Sequence, residues 1–152
     1  MSPVGIGYDS HRFAEGRRLV LGGVEIEHER GLAGHSDADV LVHAVIDALL
    51  GAACMGDIGT IFPDDEERWR DADSIDLLRT VVGTVSGRIV NIDATVVCEQ
   101  PQLAPHRSEM ERVIAEATSA RVSVKATTNE GMGWIGRGEG IACMAVASVE
   151  SE

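Results

Sequence analysis

No stretch of this chain is apolar for long enough to cross a membrane. A spanning helix needs about 20 consecutive apolar residues, and a long run such as residues 40–53 is interrupted by His43 and Asp47. Cysteine is scarce as well. Cys54, Cys98 and Cys143 are odd in number and widely spaced, without a Cys-x-x-Cys pair, which fits reduced thiols better than a disulfide framework. The opening Met-Ser-Pro-Val-Gly-Ile-Gly lacks a basic segment followed by an apolar one, so no secretory signal is read and a cytoplasmic location is expected. Positive charge is short too: 13 Lys and Arg stand against 25 Asp and Glu, a formal net charge of −12. A nucleic-acid footprint needs a basic stripe, and none is available. Also missing are Walker A, G-x-G-x-x-G and G-x-S-x-G signatures, a nucleophilic-cysteine motif, internal repeats and low-complexity segments.

What is present fits one domain over residues 1–152, enough chain for a single core. Residues 4–9 read as a short strand. Segments 19–24 and 25–28 flank Gly22-Gly23, which suggests a hairpin or a bulge. Ser36 or Asp37 is positioned to cap a helix running to about Ala53. Gly56, Gly59 and Pro63 punctuate an acidic loop over 57–67. A second helix is expected over 74–85 with Ser74 as cap, and a third over 107–117. Strands are expected over 89–98, 122–127 and 141–149. Strands and helices without a regular βαβ repeat point to an α+β fold around one sheet.

Two groups of residues carry chemistry. Asp9 and His11 are two apart on a strand and so share a face. His43, on the following helix, supplies a third ligand. Two imidazoles and a carboxylate with a position left open suit a catalytic Zn²⁺, although an Asp and two scattered histidines are by themselves a weak signal. Asp47, one turn beyond His43, is a candidate to orient that imidazole, or else caps an exposed face. The second group is Lys125-Ala-Thr-Thr-Asn-Glu130 and the glycines after it. Small hydroxyl residues at a strand end let backbone N–H groups approach phosphate oxygens, and Glu130 offers a carboxylate for a second divalent ion. An acidic protein acting on a phosphorylated substrate would need local positive charge, which bound metal ions, helix N-termini or a few chosen Lys and Arg residues can supply.

Several long segments together resemble the 2-C-methyl-D-erythritol 2,4-cyclodiphosphate synthase family. They are Gly5-Ile-Gly-Tyr-Asp9-Ser-His11-Arg-Phe13, Gly34-His35-Ser-Asp-Ala-Asp39-Val40, Asp47-Ala-Leu-Leu-Gly-Ala-Ala53, Gly56-Asp57-Ile-Gly59-x-x-Phe62-Pro63-Asp64, Lys125-Ala-Thr-Thr-Asn-Glu130 and Gly136-Arg-Gly-Glu-Gly140-Ile-Ala142. The resemblance runs in order over nearly the whole chain. It implies a mixed four-stranded sheet with helices on one side, the sheets of three subunits facing one another around a trimer axis. It implies Zn²⁺ on Asp9, His11 and His43, and Mg²⁺ or Mn²⁺ held by Glu130 and substrate phosphates. The implied reaction converts 4-diphosphocytidyl-2-C-methyl-D-erythritol 2-phosphate to a cyclic diphosphate and CMP. His35 and Thr128 occupy positions credited with transition-state stabilisation. Contacts to the methylerythritol phosphate fall on Asp9, Ser10, His11, His35, Ser36, Asp57, Ile58, Gly59, Phe62, Pro63, Asp64, Asp65 and Glu66. The cytidine and diphosphate part falls on Cys98, Glu99, Gln100, Pro101, Gln102, Leu103, Ala104, Ala126, Thr127, Thr128, Asn129 and Glu130, with the pocket contributed by a neighbouring subunit. Trp134 and Arg137 are also counted among the substrate-binding positions, and they lie toward the cavity on the trimer axis.

Three positions depart from the family pattern. Gln102 stands where a lysine is common, removing one cation from the phosphate site. Trp134 replaces a smaller aromatic, and the connections at 86–88 and 119–121 are short. Three other readings compete: a zinc phosphohydrolase in which water attacks, a non-catalytic trimer that binds isoprenoid diphosphates, and a metal serving only as a trimer staple.

Overall fold

The computed structural model describes residues 1–151. In chain order the elements are β1 (Val4–Ala14), β2 (Leu19–Leu21), β3 (Val24–Ile26), β4 (Gly31–Leu32), α1 (Val40–Ala52), α2 (Ile58–Ile61), α3 (Ser74–Thr84), β5 (Arg88–Val97), α4 (Arg107–Thr118), β6 (Arg121–Thr127), α5 (Gly133–Gly136) and β7 (Gly140–Glu150). Five strands form one sheet in the order β4-β1-β7-β5-β6. The four long strands expected from the resemblance are joined by the two-residue β4, which pairs with Phe13 and Ala14 at the end of β1. All neighbours are antiparallel except β5 and β6, which run parallel and are linked by the crossover helix α4.

The innermost contact is between β1 and α1. Gly5 and Gly7 face α1, while Val4, Ile6 and Tyr8 on the alternate face remain exposed. A Cβ placed on Gly5 would lie 2.0 Å from the Ala48 carbonyl oxygen, and one on Gly7 would lie 1.9 Å from that of Ala44. No side chain fits there, so the strand and helix backbones lie directly against each other. α1 is apolar around nearly its whole circumference, as a helix enclosed by a core must be. α3 packs on α1 and α4, and α4 packs on β6, so these helices form a layer on one face of the sheet.

The hairpin over Gly22-Gly23 is confirmed. Both glycines have positive φ, 60° and 73°, as a tight two-residue turn requires. Strand β1 runs on beyond Asp9, because β7 pairs with it through Arg12 and Gly140. The helix caps differ from expectation. Asp39, and neither Ser36 nor Asp37, caps α1, and the reason is tertiary. Its buried carboxylate accepts N–H bonds from Val42 (3.0 Å), Gly22 (2.9 Å) and Gly23 (2.7 Å), joining the helix start to the hairpin turn. Asp73 caps α3 by accepting from Ile75 N at 2.8 Å, which leaves Ser74 free to point inward.

On the opposite face of the sheet, Val4, Ile6 and Tyr8 of β1 lie beside Met144 and Val146 of β7, all at least 41% exposed. The β5–β6 end of that face is polar and carries an Asp93–Lys125 ion pair.

Candidate metal centre and neighbouring cavities

Odd-numbered residues of β1 face the helix layer, so Asp9 and His11 follow Gly5 and Gly7 along the same row. Close packing of α1 then brings His43 to them. Asp9 Oδ2 lies 2.8 Å from His11 Nε2 and 3.1 Å from His43 Nδ1, and the two ring nitrogens are 3.3 Å apart. The three ligand atoms form a group able to hold a divalent metal ion.

Hydrogen bonds settle which nitrogens face this point. His11 Nδ1–H donates to the Ala33 carbonyl at 2.8 Å, so Nε2 is bare in the neutral ring. Ser74 Oγ–H donates to the Asp37 carboxylate, so Ser74 accepts from His43 Nε2–H at 2.8 Å. His43 Nδ1 is therefore bare as well. Two bare imidazole nitrogens and a carboxylate oxygen turned toward one point form a donor set that a cation satisfies, and the outer nitrogens are held as in other metal-bound histidines. Ser36 Oγ, 3.2 Å from His43 Nε2, adds a further polar neighbour. Asp47 plays no part in orienting His43. Its carboxylate accepts from Ile58 N at 2.7 Å, because the chain after α1 folds back over that side of the helix.

Burial alone would raise the Asp9 pKa, but when His11 and His43 are protonated the N–H bonds and positive charge they turn toward it outweigh burial and hold the carboxyl down at about 2. Burial likewise disfavours a charged His43, yet the bond and charge of Asp9, with Asp39 and Asp37 farther off, raise its pKa above 6.5. Protons therefore compete with a cation for His43 Nδ1. Zinc affinity is expected to be flat on the alkaline side of that raised pKa and to fall about tenfold per pH unit below it. Competition with a chromogenic chelator between pH 8 and pH 5.5 measures this, and a flat profile over the whole range would count against His43 as a ligand.

The candidate residues fall into separate cavities of the protomer. One of about 440 Å³ is lined by Asp9, His11, His35, Ser36, His43, Ile58, Gly59, Phe62, Pro63, Asp64 and Asp65. Trp69 and Leu77 also line it, and sequence reasoning missed both. Trp69 stacks edge-on against Phe62 at 4.9 Å, in a segment tied to the cavity wall by the bond from Asp71 N to His35 O at 2.8 Å. His35 Nε2–H donates to the Glu66 carbonyl at 3.0 Å, which fixes the imidazole at the cavity wall. Asp57 caps α2 through Thr60 N at 2.9 Å.

A second cavity, about 310 Å³, is lined by Cys98, Glu99, Pro101, Gln102, Leu103, Ala104, Ala126, Thr127 and Thr128. Burial and the Glu99 charge push the Cys98 thiol up to about 11, so it is no thiolate nucleophile at neutral pH. Asn129 and Glu130 follow in the turn after Thr128, and Gln100 is exposed beside Pro101. Ser10, on the outer face of β1, joins Trp134 and Arg137 in a third cavity of about 670 Å³. The protomer thus places Thr128 in a different cavity from His35.

Residues 3–150 match the YgbB family over almost the entire chain. The chain belongs to the YgbB family. A YgbB relative from Salinibacter ruber, named 2-C-methyl-D-erythritol 2,4-cyclodiphosphate synthase, is 56% identical over 97% of this chain and 98% of its own length. In the bifunctional IspDF of Campylobacter jejuni the same fold recurs with a TM-score of 0.96 and 39% identity, covering 100% of this chain and 43% of that longer one. A Plasmodium falciparum IspF in complex with CDP superposes with a TM-score of 0.84 at 30% identity, over 99% of this chain and 97% of that one.

Proposed function

We propose that this YgbB-family chain is a single catalytic domain that converts 4-diphosphocytidyl-2-C-methyl-D-erythritol 2-phosphate to 2-C-methyl-D-erythritol 2,4-cyclodiphosphate and CMP. The observation that carries the reading is the convergence of Asp9 Oδ2, His11 Nε2 and His43 Nδ1 at a cavity walled by His35, Ser36 and residues 58–65. Relatives bearing this activity in their names, and a relative solved with CDP, support the substrate class.

In this reaction an oxygen of the substrate's own 2-phosphate bonds to the β-phosphorus. The bond from that phosphorus to the bridging oxygen breaks, and the electron pair leaves with CMP. No protein nucleophile is needed, in keeping with the burial of Cys98 and Cys143 and the absence of a serine elbow. Zn²⁺ on Asp9, His11 and His43, with Mg²⁺ or Mn²⁺ at Glu130, supplies charge neutralisation at the phosphates when bound. His35, anchored by its bond to Glu66 O, presents its ring at the cavity wall beside the reacting groups. Ser36, Ile58, Gly59 and residues 62–66 hold the methylerythritol phosphate, Asp57 shapes that wall from the N-terminus of α2, and residues 98–104 with Ala126 and Thr127 take the cytidine. Thr128 stabilises the transition state from the nucleotide side, and Asn129 and Glu130 follow it.

His35 and Thr128 line different cavities of one protomer, which supports a site completed across two subunits. The exposed apolar strip of β1 and β7 is suited to the axis of a homotrimer, whose central cavity Ser10, Trp134 and Arg137 would border. No helix among the described residues is long and apolar enough to cross a membrane, and a cytoplasmic location fits the reduced thiols.

The deciding experiment is a ³¹P NMR assay with the cytidylyl substrate, Mg²⁺ and Zn²⁺, with and without chelator. Cyclic diphosphate and stoichiometric CMP, both lost on chelation, are expected. A linear product would identify a phosphohydrolase, and tight binding without turnover would identify a carrier.

A further inference from the structure

We infer that Glu99 is a positioning residue that ties the nucleotide loop to the Glu130 turn, so that cytidine nucleotide and the second divalent cation bind cooperatively. The inference rests on the proposed roles of residues 98–104 and Glu130, and its test separates the two.

Glu130 has φ 54° and Gly131 has φ 73°. With Met132 N donating to Asn129 O at 3.0 Å, residues 129–132 form a turn whose two central residues are both left-handed. Glycine tolerates that conformation, but a glutamate with its Cβ does not adopt it without compensation. Some compensation is local. Asn129 Nδ2 donates to Met132 O at 2.9 Å, and Glu130 N donates to Thr128 Oγ1 at 3.2 Å.

The rest comes from elsewhere in the chain. Glu99 Oε1 accepts the N–H of Asn129 at 2.8 Å and that of Gly131 at 3.3 Å, the two residues flanking Glu130. Among the described residues, Glu99 is the one side chain from another segment that hydrogen-bonds this turn. Glu99 lines the nucleotide cavity together with Cys98 and Pro101, and Cys98 N donates to Thr127 O at 3.0 Å. One carboxylate oxygen therefore grips the base of the Glu130 turn from the loop that would close on cytidine. A nucleotide that orders residues 98–104 fixes Glu99, and Glu99 fixes the direction of the Glu130 carboxylate. Coupling between sites is reciprocal, so a cation bound by Glu130 tightens the nucleotide loop by the same factor.

The test is calorimetry of CDP binding to the intact protein, without Mg²⁺ and with saturating Mg²⁺. The wild type is expected to bind CDP about tenfold more tightly with the cation. Because Glu99 also lines the nucleotide cavity, Glu99→Ala is expected to bind CDP more weakly in both conditions, and the reading is the ratio between them, most of which it loses. Glu99→Gln, which retains an acceptor oxygen at the same reach, restores it, and Glu99→Asp, one methylene short, restores it only in part. If the alanine variant does not fold, the Gln and Asp pair carries the comparison. A wild-type ratio in Glu99→Ala, a Gln variant no better than Ala, or no Mg²⁺ effect in the wild type would each overturn the coupling while leaving the nucleotide site in place. Absence of CDP binding to the wild type would overturn both the coupling and the proposed function.

Discussion

His43→Ala is expected to lower turnover by about 10³-fold or more, the rate equivalent of the several kcal/mol that a metal centre contributes at reacting phosphates. The residue is 8% exposed and its ring holds four polar partners together: Asp9 and His11 on one side, Ser36 and Ser74 on the other. Alanine retains the helix, since it is the best helix former, and removes one of three ligands. Zinc content should fall well below one per chain while the far-ultraviolet spectrum stays that of the wild type. A variant with full turnover and normal zinc would rule out the Asp9–His11–His43 site.

Gly7→Ala is the second large effect, and it acts from the other side of the same contact. The added Cβ would meet the Ala44 carbonyl oxygen at 1.9 Å, and that atom belongs to a helix backbone that cannot rotate away. The helix must shift by an ångström or more, at a cost of about 3 kcal/mol or above. That corresponds to a loss of roughly 6–12 °C in Tm for a chain of this size. The same displacement draws His43 Nδ1 away from Asp9, now 3.1 Å distant. Metal sites tolerate only about 0.2 Å in ligand distance, so zinc affinity should fall along with stability. Gly83→Ala in α3 is the control: its Cβ meets nothing within 4 Å and its φ is not left-handed. It is expected to be neutral or to stabilise by up to about 1 kcal/mol. Equal Tm and zinc affinity in Gly7→Ala and the wild type would show that backbone contact between β1 and α1 is not what sets the site.

Both variants concern parts of the molecule that are legible in sequence to different degrees. The Asp9-x-His11 pair is readable because a strand repeats every two residues, and the ladder with β7 keeps that period through Arg12. His43 is readable as the imidazole on the next helix. Its distance from Asp9 is not, because that depends on two glycines meeting two alanine carbonyls 37 and 43 residues further along the chain. The caps were misplaced for a similar reason. Ser36, Asp37 and Asp39 are all competent side chains in one short segment, and the choice fell to the carboxylate that also reaches the Gly22-Gly23 turn. Asp47 sits at the helical spacing that suggests contact with His43, yet the next segment's Ile58 N–H captures it. Ser74 serves His43 from 31 residues away, a contact with no local signature. Most of the remaining site assignments came from resemblance rather than from spacing.

The split of the candidate site into two cavities has a genetic consequence. Every residue lining the metal cavity lies between Asp9 and Leu77, and every residue lining the nucleotide cavity lies between Cys98 and Thr128. The chain thus reads as two consecutive cistron-like halves, each of which meets its complement on a neighbouring subunit in the proposed trimer. A lesion confined to one half damages every site in a pure population. It does so without touching the other half, so two different dead alleles are not equivalent. If the proposed trimer forms, co-expressed His43→Ala and Thr128→Ala chains are expected to assort into mixed rings in which about a quarter of the interfaces unite two sound halves. Such a cell would carry two null alleles and still make product.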